Sequence, residues 1–572
     1  MTAVSHSEAR SEARVTFPDG AVYSAPIGTP LLHYVNAAYP NGHPNRPILG
    51  GIIDNNLAEL TYSVNRDLTL QPITLRDSDG GRIYRRSLVF LLITAAAECF
   101  PGVKIAVEHS IPTGGFYCEP LNRPNFTAAE LDRIRAQMSA IVAADEPFER
   151  KTIPLAEAVA WFTEHGDDDM VRLLRTRDKD YLTVYTMRGQ VDYLFGYMVP
   201  STGYLTLFDL YPMEAGFILV YPRAEFVDGL HPYEPSHKLE VAFQQDKAWR
   251  NVIGLADIGT LNRAIEEGKL REEVLIAEAL HSRYLGAIAS QIAARHAQGL
   301  RLVLIAGPSS AGKTTFSKRL AIQLMAYGIH PFTLAMDNYF VDREHTPRDE
   351  FGAYDFESLG ALDRAQMNID LKALFAGNEV QLPHFDFKLG RAVPGEVVRL
   401  HDDQIIIAEG IHGLNPELLP DIPADKVFRL YVSAVTALNL DRHNRVPTTD
   451  VRLLRRIVRD AAHRGYSALD TINRWESVRR GEKRNIFPYQ EHADVMFNSS
   501  LPYELAMLRP LAEPLLRQVE PTTWHYVEAK RLLSFLRWVR PADASFVPDD
   551  SLLREFIGGS ILESYTPGKR RG

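Results

Sequence analysis

Gly307-Pro-Ser-Ser-Ala-Gly312-Lys313-Thr314 has the spacing G-x-x-x-x-G-K-[ST], between an apolar run, "RLVLIAG", and a helix-like run, "KTTFSKRLAIQLMAYG". The pattern needs that context. A strand delivers the loop, glycines let the backbone turn its N–H groups inward, and the next helix presents its positive end to an anion. Gly307, Ser309, Ser310, Ala311, Gly312, Lys313, Thr314 and Thr315 are therefore the candidate ATP-binding residues. Lys313 is expected at the β- and γ-phosphates and the Thr314 hydroxyl at Mg²⁺. The loop also dictates the fold around it. From Leu300 to about Ser500, apolar runs ("PFTLAMD", "QIIIAEG", "VFRLYVS") alternate with helical patterns. That order predicts an α/β domain, a parallel sheet with helices on both faces.

In open α/β sheets, ligands gather at the carboxyl ends of the strands. "TLAMDNYF" ends one run with Asp337, and "IIIAEG" ends another with Glu409. Asp337 can accept a hydroxyl proton during phosphoryl transfer, and Glu409 can hold the magnesium or its water. Taken singly, each is also an ordinary solvated strand-end acid. Further on, "VRLLRRIVRDAAHRG" places Arg455, Arg456, Arg459 and Arg464 on or beside one helix, the last three largely on one side of it. Two readings fit that face: a solvated basic surface paired with Asp460, or a mobile arginine lid that neutralises transferring charge.

At 572 residues the chain exceeds one core and predicts three or four domains. Residues 1–12 are expected to be a flexible tail. Residues 13–75 read as a small β-rich module, with "RVTFPDGAVYSAP" a hairpin turning at Asp19-Gly20. Residues 76–225 read as α+β, 226–298 as a helical connector, 299–500 as the phosphate-loop domain and 501–572 as a C-terminal helical extension. A formal charge of −9 and a pI near 6.1 speak against wholesale nucleic-acid binding. Cys99 and Cys118 alone cannot build a disulfide framework. The N-terminus lacks the apolar core of a signal peptide, and no apolar run reaches membrane-spanning length. A cytoplasmic protein without a membrane partner is expected.

The phosphate-loop region resembles the uridine kinase (nucleoside kinase) family of P-loop kinases, related to phosphoribulokinase. The resemblance is carried by "GPSSAGKTT", "MDNYF", "YDFES", "PHFDF", "AEGIHGL", "RRIVRDAAHRG" and "HADVMFNSS". It implies an enzyme that transfers the γ-phosphate of ATP, with Mg²⁺, to a ribose 5′-hydroxyl. By the resemblance Asp337 is the catalytic base, and Asp355, Tyr339 and Phe385 bind the nucleoside. Glu409 and Thr314 serve the metal, and Arg456, Arg459 and Arg464 form the lid. The sequence departs from the family after "FDF", where "KLGRAV" is short and lacks a base-reading histidine, and at Tyr466, where the family has arginine. A phosphosugar or another small hydroxyl compound is therefore an alternative acceptor.

The front half resembles threonyl-tRNA synthetase. "VTFPDGAVYSAPIGTPLLHYV" and "GGIIDNNLAELTYSVNRDLTL" match its TGS domain; "IYRRSLVFLL", "GGFYCEP", "QVDYLFG" and "VPSTGYLTLFDL" match its editing domain. The editing family places two histidines four apart on a helix, then a cysteine and a histidine four apart. Arg86 and Phe90, then Leu194 and Met198, stand at those positions. None can be a metal ligand or general base, so the resemblance implies a retained fold without editing. It leaves open RNA contact through these modules and a nucleotide-gated RNA- or ribosome-binding regulator. Assembly as a homo-oligomer is expected.

Overall fold

The Asp19-Gly20 turn closes an antiparallel hairpin of Glu12–Thr16 with Val22–Pro26, and Gly20 takes φ +84°, a region glycine enters without steric cost. The computed structural model describes residues 10–567 except 43–46, 113, 214, 350, 351, 353, 387, 388, 436 and 437. Of the expected tail, residues 1–9 lie outside the described residues, and Glu12 already belongs to the first strand. Gly50–Ile53, Asn56–Ala58 and Leu68–Ile73 complete a five-stranded sheet. Alternate residues Ala13, Val15 and Phe17 point inward to the helix Leu31–Ala38, as the period of two requires.

Next, the long helix Ser78–Cys99 packs with Ala128–Ala144, whose N-terminus is closed by a reciprocal Thr127–Glu130 capping box. These helices share one apolar cluster with an antiparallel sheet built from Ile105–Ile111, Gly115–Pro120, Asp209–Met213 and Gly216–Val220. Three helices, His237–Ile253, Ile258–Glu266 and Leu270–His296, then lead to the phosphate-loop region.

That region is built on five parallel strands in the spatial order His330–Ala335, Gln404–Glu409, Leu302–Ala306, Val427–Ser433, Val495–Asn498. The central strand reads as an unbroken apolar run because both of its faces are covered. Val303 and Ile305 pack towards Leu270–His296 and Lys313–Met325, whereas Leu302 and Leu304 pack towards Arg364–Phe375. The α/β architecture is thus doubly covered, with the phosphate loop leaving the middle strand. Strand order also sets the site. The strands ending at Ala335 and Ala306 both neighbour the one ending at Glu409, with Ala335 and Ile305 in register with Glu409.

The C-terminal helices Glu504–Leu516 and Tyr526–Leu536 do not stand apart. Their apolar faces join a cluster with Phe162, Leu173, Ile258, Leu261, Leu453 and Ile457, so one core links the front half, the connector and the arginine-rich helix. A charged chain runs beside it: Arg82 meets Glu528, Glu528 meets Arg531, and Arg531 meets Asp450 at the start of that helix. Among the described residues no helix is long and apolar enough to cross a membrane.

Candidate phosphoryl-transfer site

The loop is shaped for an anion. A Cβ on Gly307 would lie 1.9 Å from the Val432 carbonyl oxygen, so only glycine fits there. Gly312 (φ +85°) and Ser310 (φ +57°) take left-handed backbone conformations that curl the chain into the helix Lys313–Met325. The buried Ser310 hydroxyl has no hydrogen-bond partner among the described residues, and Ala311 is packed inside. Lys313 Nζ donates to the carbonyls of Gly307 (2.9 Å) and Pro308 (3.1 Å), which folds it back over the loop. Two N–H groups that face such an anion are held by protein carboxylates. Ser309 N–H donates to Glu482 Oε1 at 3.0 Å and Thr315 N–H to Glu555 Oε2 at 3.1 Å.

Both strand-end acids converge on this loop. Thr314 Oγ1 donates to Glu409 Oε1 at 3.1 Å, and Glu409, Glu555 and Asp337 all act on the Lys313 charge. Burial lowers the Lys313 ammonium below its ordinary value, against those three carboxylates. Burial likewise raises the Glu409 carboxyl, opposed by Lys313. Asp337 lies two residues past its strand, in the short turn Met336–Tyr339, and its side chain opens on solvent. The surrounding protein still raises its carboxyl above the aspartate range, with Lys313 and Arg464 opposing.

The basic face of the arginine helix, Thr448–His463, is not a solvated surface but is gathered around a buried acid. Asp460 is only 1% exposed and collects three guanidiniums, from Arg459 (2.8 Å), Arg456 (3.2 Å) and Arg464 (3.6 Å). The same guanidiniums face the phosphate loop: Arg456 Nη1 donates to Ser309 Oγ at 2.7 Å, and Arg464 is a charge neighbour of Asp337. Arg455 differs. It is buried, with Nε on Glu504 at 2.6 Å and Nη2 on the Ser499 carbonyl at 2.8 Å, so it anchors the helix.

The acceptor side departs most from expectation. Tyr339 turns into the core, and its hydroxyl donates to Asp370 at 3.0 Å. It does not line the cleft, because the turn that leaves Asp337 outside carries the residue two places on inside. Phe385 is buried edge-on against Phe340, whose other edge meets Phe356, which is exposed. Asp355 faces Arg484 at 3.6 Å and accepts from the Glu357 N–H at 3.2 Å. Glu357, absent from the sequence-based set, is the acid of "YDFES" that senses the loop. Burial and the Glu482 carboxylate push its carboxyl up to about 7, while Arg456 and Lys313 pull it down. The only sequence signal for it was a second acid two positions after Asp355. Phe387, which ends "FDF", and Lys388, which opens the shortened stretch after it, lie outside the described residues.

A phosphate cradle, a paired hydroxyl and carboxylate, and a strand-end acid on adjacent parallel strands make up the catalytic half of a P-loop phosphotransferase. Residues 302–505 match the phosphoribulokinase/uridine kinase family. The solved structures similar to this region include a protein described as a possible uridine kinase from Bacillus stearothermophilus, with 21% identity over 35% of this chain and 89% of that one and a TM-score of 0.24. D-glycerate 3-kinase from Cryptococcus neoformans has 15% identity over 37% of this chain and 89% of its own, with a TM-score of 0.26. The front half is similar to threonine–tRNA ligases. That of Symbiobacterium thermophilum is 29% identical over 208 residues, 36% of this chain and 32% of the ligase. The chain thus spans about a third of the length of the curated relatives it matches. It joins synthetase-like modules to a P-loop kinase region.

In the synthetase-like half, the four editing positions are filled. Phe90, Leu194 and Met198 are at most 2% exposed and belong to one apolar cluster. Arg86 donates from Nη1 to the Tyr197 carbonyl at 2.5 Å, and burial brings its guanidinium down to about 10. A Cβ on Gly196 would strike that guanidinium at 2.5 Å, so the arginine occupies the space beside the glycine.

Proposed function

We propose that the chain is an ATP- and Mg²⁺-dependent kinase that phosphorylates a small alcohol, with a nucleoside 5′-hydroxyl as the favoured acceptor. The observation that carries this reading is the Thr314–Glu409 contact at the mouth of the loop, beside the strand whose end carries Asp337. The donor set fits the groups it would hold. The glycine-lined cradle accepts phosphate oxygens, and a hydroxyl beside a carboxylate suits a hard, oxygen-seeking dication that keeps phosphate oxygens as its other ligands. Thr314 and Glu409 would hold such a dication, which would supply neutralisation of the charge that develops on phosphoryl transfer.

Asp337 takes the proton of the acceptor hydroxyl as that oxygen bonds to the γ-phosphorus. The bond to the bridging β–γ oxygen breaks, and its electron pair leaves with ADP. Lys313 and the Arg456, Arg459 and Arg464 guanidiniums stand where the departing charge collects. The exposed Phe356 ring, packed edge-on against Phe340, offers apolar surface to a base, which favours a nucleoside over a bare sugar.

The test is the full chain with ATP, Mg²⁺ and a panel of nucleosides, phosphosugars and glycerate, read by ADP release and the mass of the product. A nucleoside monophosphate is expected. Product from a non-nucleoside alone keeps the kinase and removes the nucleoside. ADP release that no acceptor accelerates removes the kinase. In the same assay, Thr314→Ala is expected to raise the Mg²⁺ concentration for half-maximal rate about tenfold, the equivalent of one lost polar contact of ~1.4 kcal/mol. An unchanged Mg²⁺ dependence would take the hydroxyl out of the metal site.

A further inference from the structure

Residues 551–563, "SLLREFIGGSILE", lie beyond the family match and beyond every motif of the site, yet they meet the phosphate loop and its helix at three points and the two helices beside them at two more. The buried Ser551 hydroxyl donates to Glu278 Oε1 at 2.5 Å and pins the start of the segment. Leu552 joins the cluster of Val303, Ile305 and Phe316 and comes within 3.6 Å of where a Cβ on Gly312 would stand. Glu555 Oε2 accepts the Thr315 N–H. The Phe556 ring lies beneath the Arg455 guanidinium at 5.0 Å. Lys318, one turn into the loop's helix, donates to the carbonyls of Leu562 (2.7 Å) and Glu563 (3.0 Å).

The N–H of Thr315 is among the groups that make the first turn of this helix a seat for phosphate. A carboxylate already sits there. One N–H cannot serve a phosphate oxygen and Glu555 together, and a polyphosphate arriving beside Glu409 and Glu555 meets like charge at short range. We propose that Glu555 is an anionic plug: it holds the phosphate loop in the absence of nucleotide, and a nucleotide phosphate must displace it, releasing the 551–563 strap. This rests on the reading of the loop as a nucleotide site. The occupant of the loop thereby sets the state of the C-terminal segment, which is how filling of the site becomes visible on the protein surface.

Two measurements on the full chain test it. ATP binding is measured by calorimetry for the unaltered protein, for Glu555→Gln, which keeps an acceptor oxygen and removes the charge, and for Lys313→Ala. Glu555→Gln is expected to tighten ATP binding about tenfold, the loss of roughly 1.4 kcal/mol of competition. Separately, Arg554 donates to the carbonyls of Pro548, Ala544 and Val547, a closed arrangement that resists trypsin. Saturating ATP is expected to speed tryptic cleavage after Arg554 in the unaltered protein, a readout that needs no variant to fold. Unchanged or weaker ATP binding in Glu555→Gln, or ATP protecting Arg554, would overturn the plug while leaving the nucleotide site standing. No ATP binding to any form, with Lys313→Ala indistinguishable, would instead remove the nucleotide reading and the plug with it.

Discussion

Asp337→Asn lowers turnover by about 10²–10⁴-fold, the range a positioned general base contributes, and leaves ATP binding unchanged. Asparagine has nearly the same shape and cannot take a proton, so the loss isolates proton transfer. Among the described residues the Asp337 side chain makes no hydrogen bond to the loop, and its strand is separated from the loop's strand by the one ending at Glu409. The pH profile supplies a second readout. The base must be ionised to act, so activity is lost as pH falls through its pKa. The surrounding protein raises that pKa above the ordinary aspartate value despite Lys313 and Arg464. The acid limb of kcat/KM is therefore expected at a higher pH than about 3.9, the value of a free aspartate. Arg464→Ala removes an opposing charge and is expected to move the limb further up. Equal turnover of Asp337→Asn, or a limb that stays put in Arg464→Ala, would take Asp337 out of the chemistry.

What the sequence made legible is what local pattern controls. The glycine spacing, the flanking strand and helix, and the acids closing two apolar runs are short-range features. Parallel-sheet topology then leaves few ways to arrange them, which sets Thr314 against Glu409 and the strand of Asp337 beside that of Glu409. Side-chain direction within irregular turns was not legible. Tyr339 and Asp337 sit two residues apart in one turn and face opposite ways, and the charge of Glu357 couples to Lys313 and Arg456. The arginine helix was half legible. A period of 100° groups its guanidiniums on one side, but only the tertiary structure shows Asp460 gathering three of them while Arg455 is buried between Glu504 and the Ser310 carbonyl. Long-range partners were invisible. Nothing near Thr315 announces Glu555, 240 positions away, and nothing near Gly196 announces Arg86. In the synthetase-like half the absence of imidazole and thiol was plain, whereas the replacement of a polar pocket by Phe90, Leu194 and Met198 packing appears only in the fold.

Glu504→Ala destabilises the kinase region by about 3–5 kcal/mol, the cost of leaving a buried guanidinium without its counter-ion. Arg455 and Glu504 are at most 3% exposed, joined at 2.6 Å, and they tie the arginine helix to the helix Glu504–Leu516. Water cannot reach Arg455 to replace the lost carboxylate. The remaining contacts, the Ser499 carbonyl and hydroxyl, the Ser310 carbonyl and the Phe556 ring, carry no full charge. The midpoint of urea denaturation, followed by the fluorescence of Trp475 and Trp538 in the shared cluster, is expected to fall accordingly. Glu504→Gln keeps one acceptor and should lose less. The paired change Arg455→Met with Glu504→Leu removes both charges and is expected to recover most of the stability, because burying two ions takes back much of what their attraction supplies. The double variant separates stability from function. The helix would remain docked, and Arg456 would still reach Ser309, but Phe556 would lose the cation that holds it against the loop. If Glu504→Ala and the double variant are equally unstable, packing rather than charge pairing fixes the arginine helix.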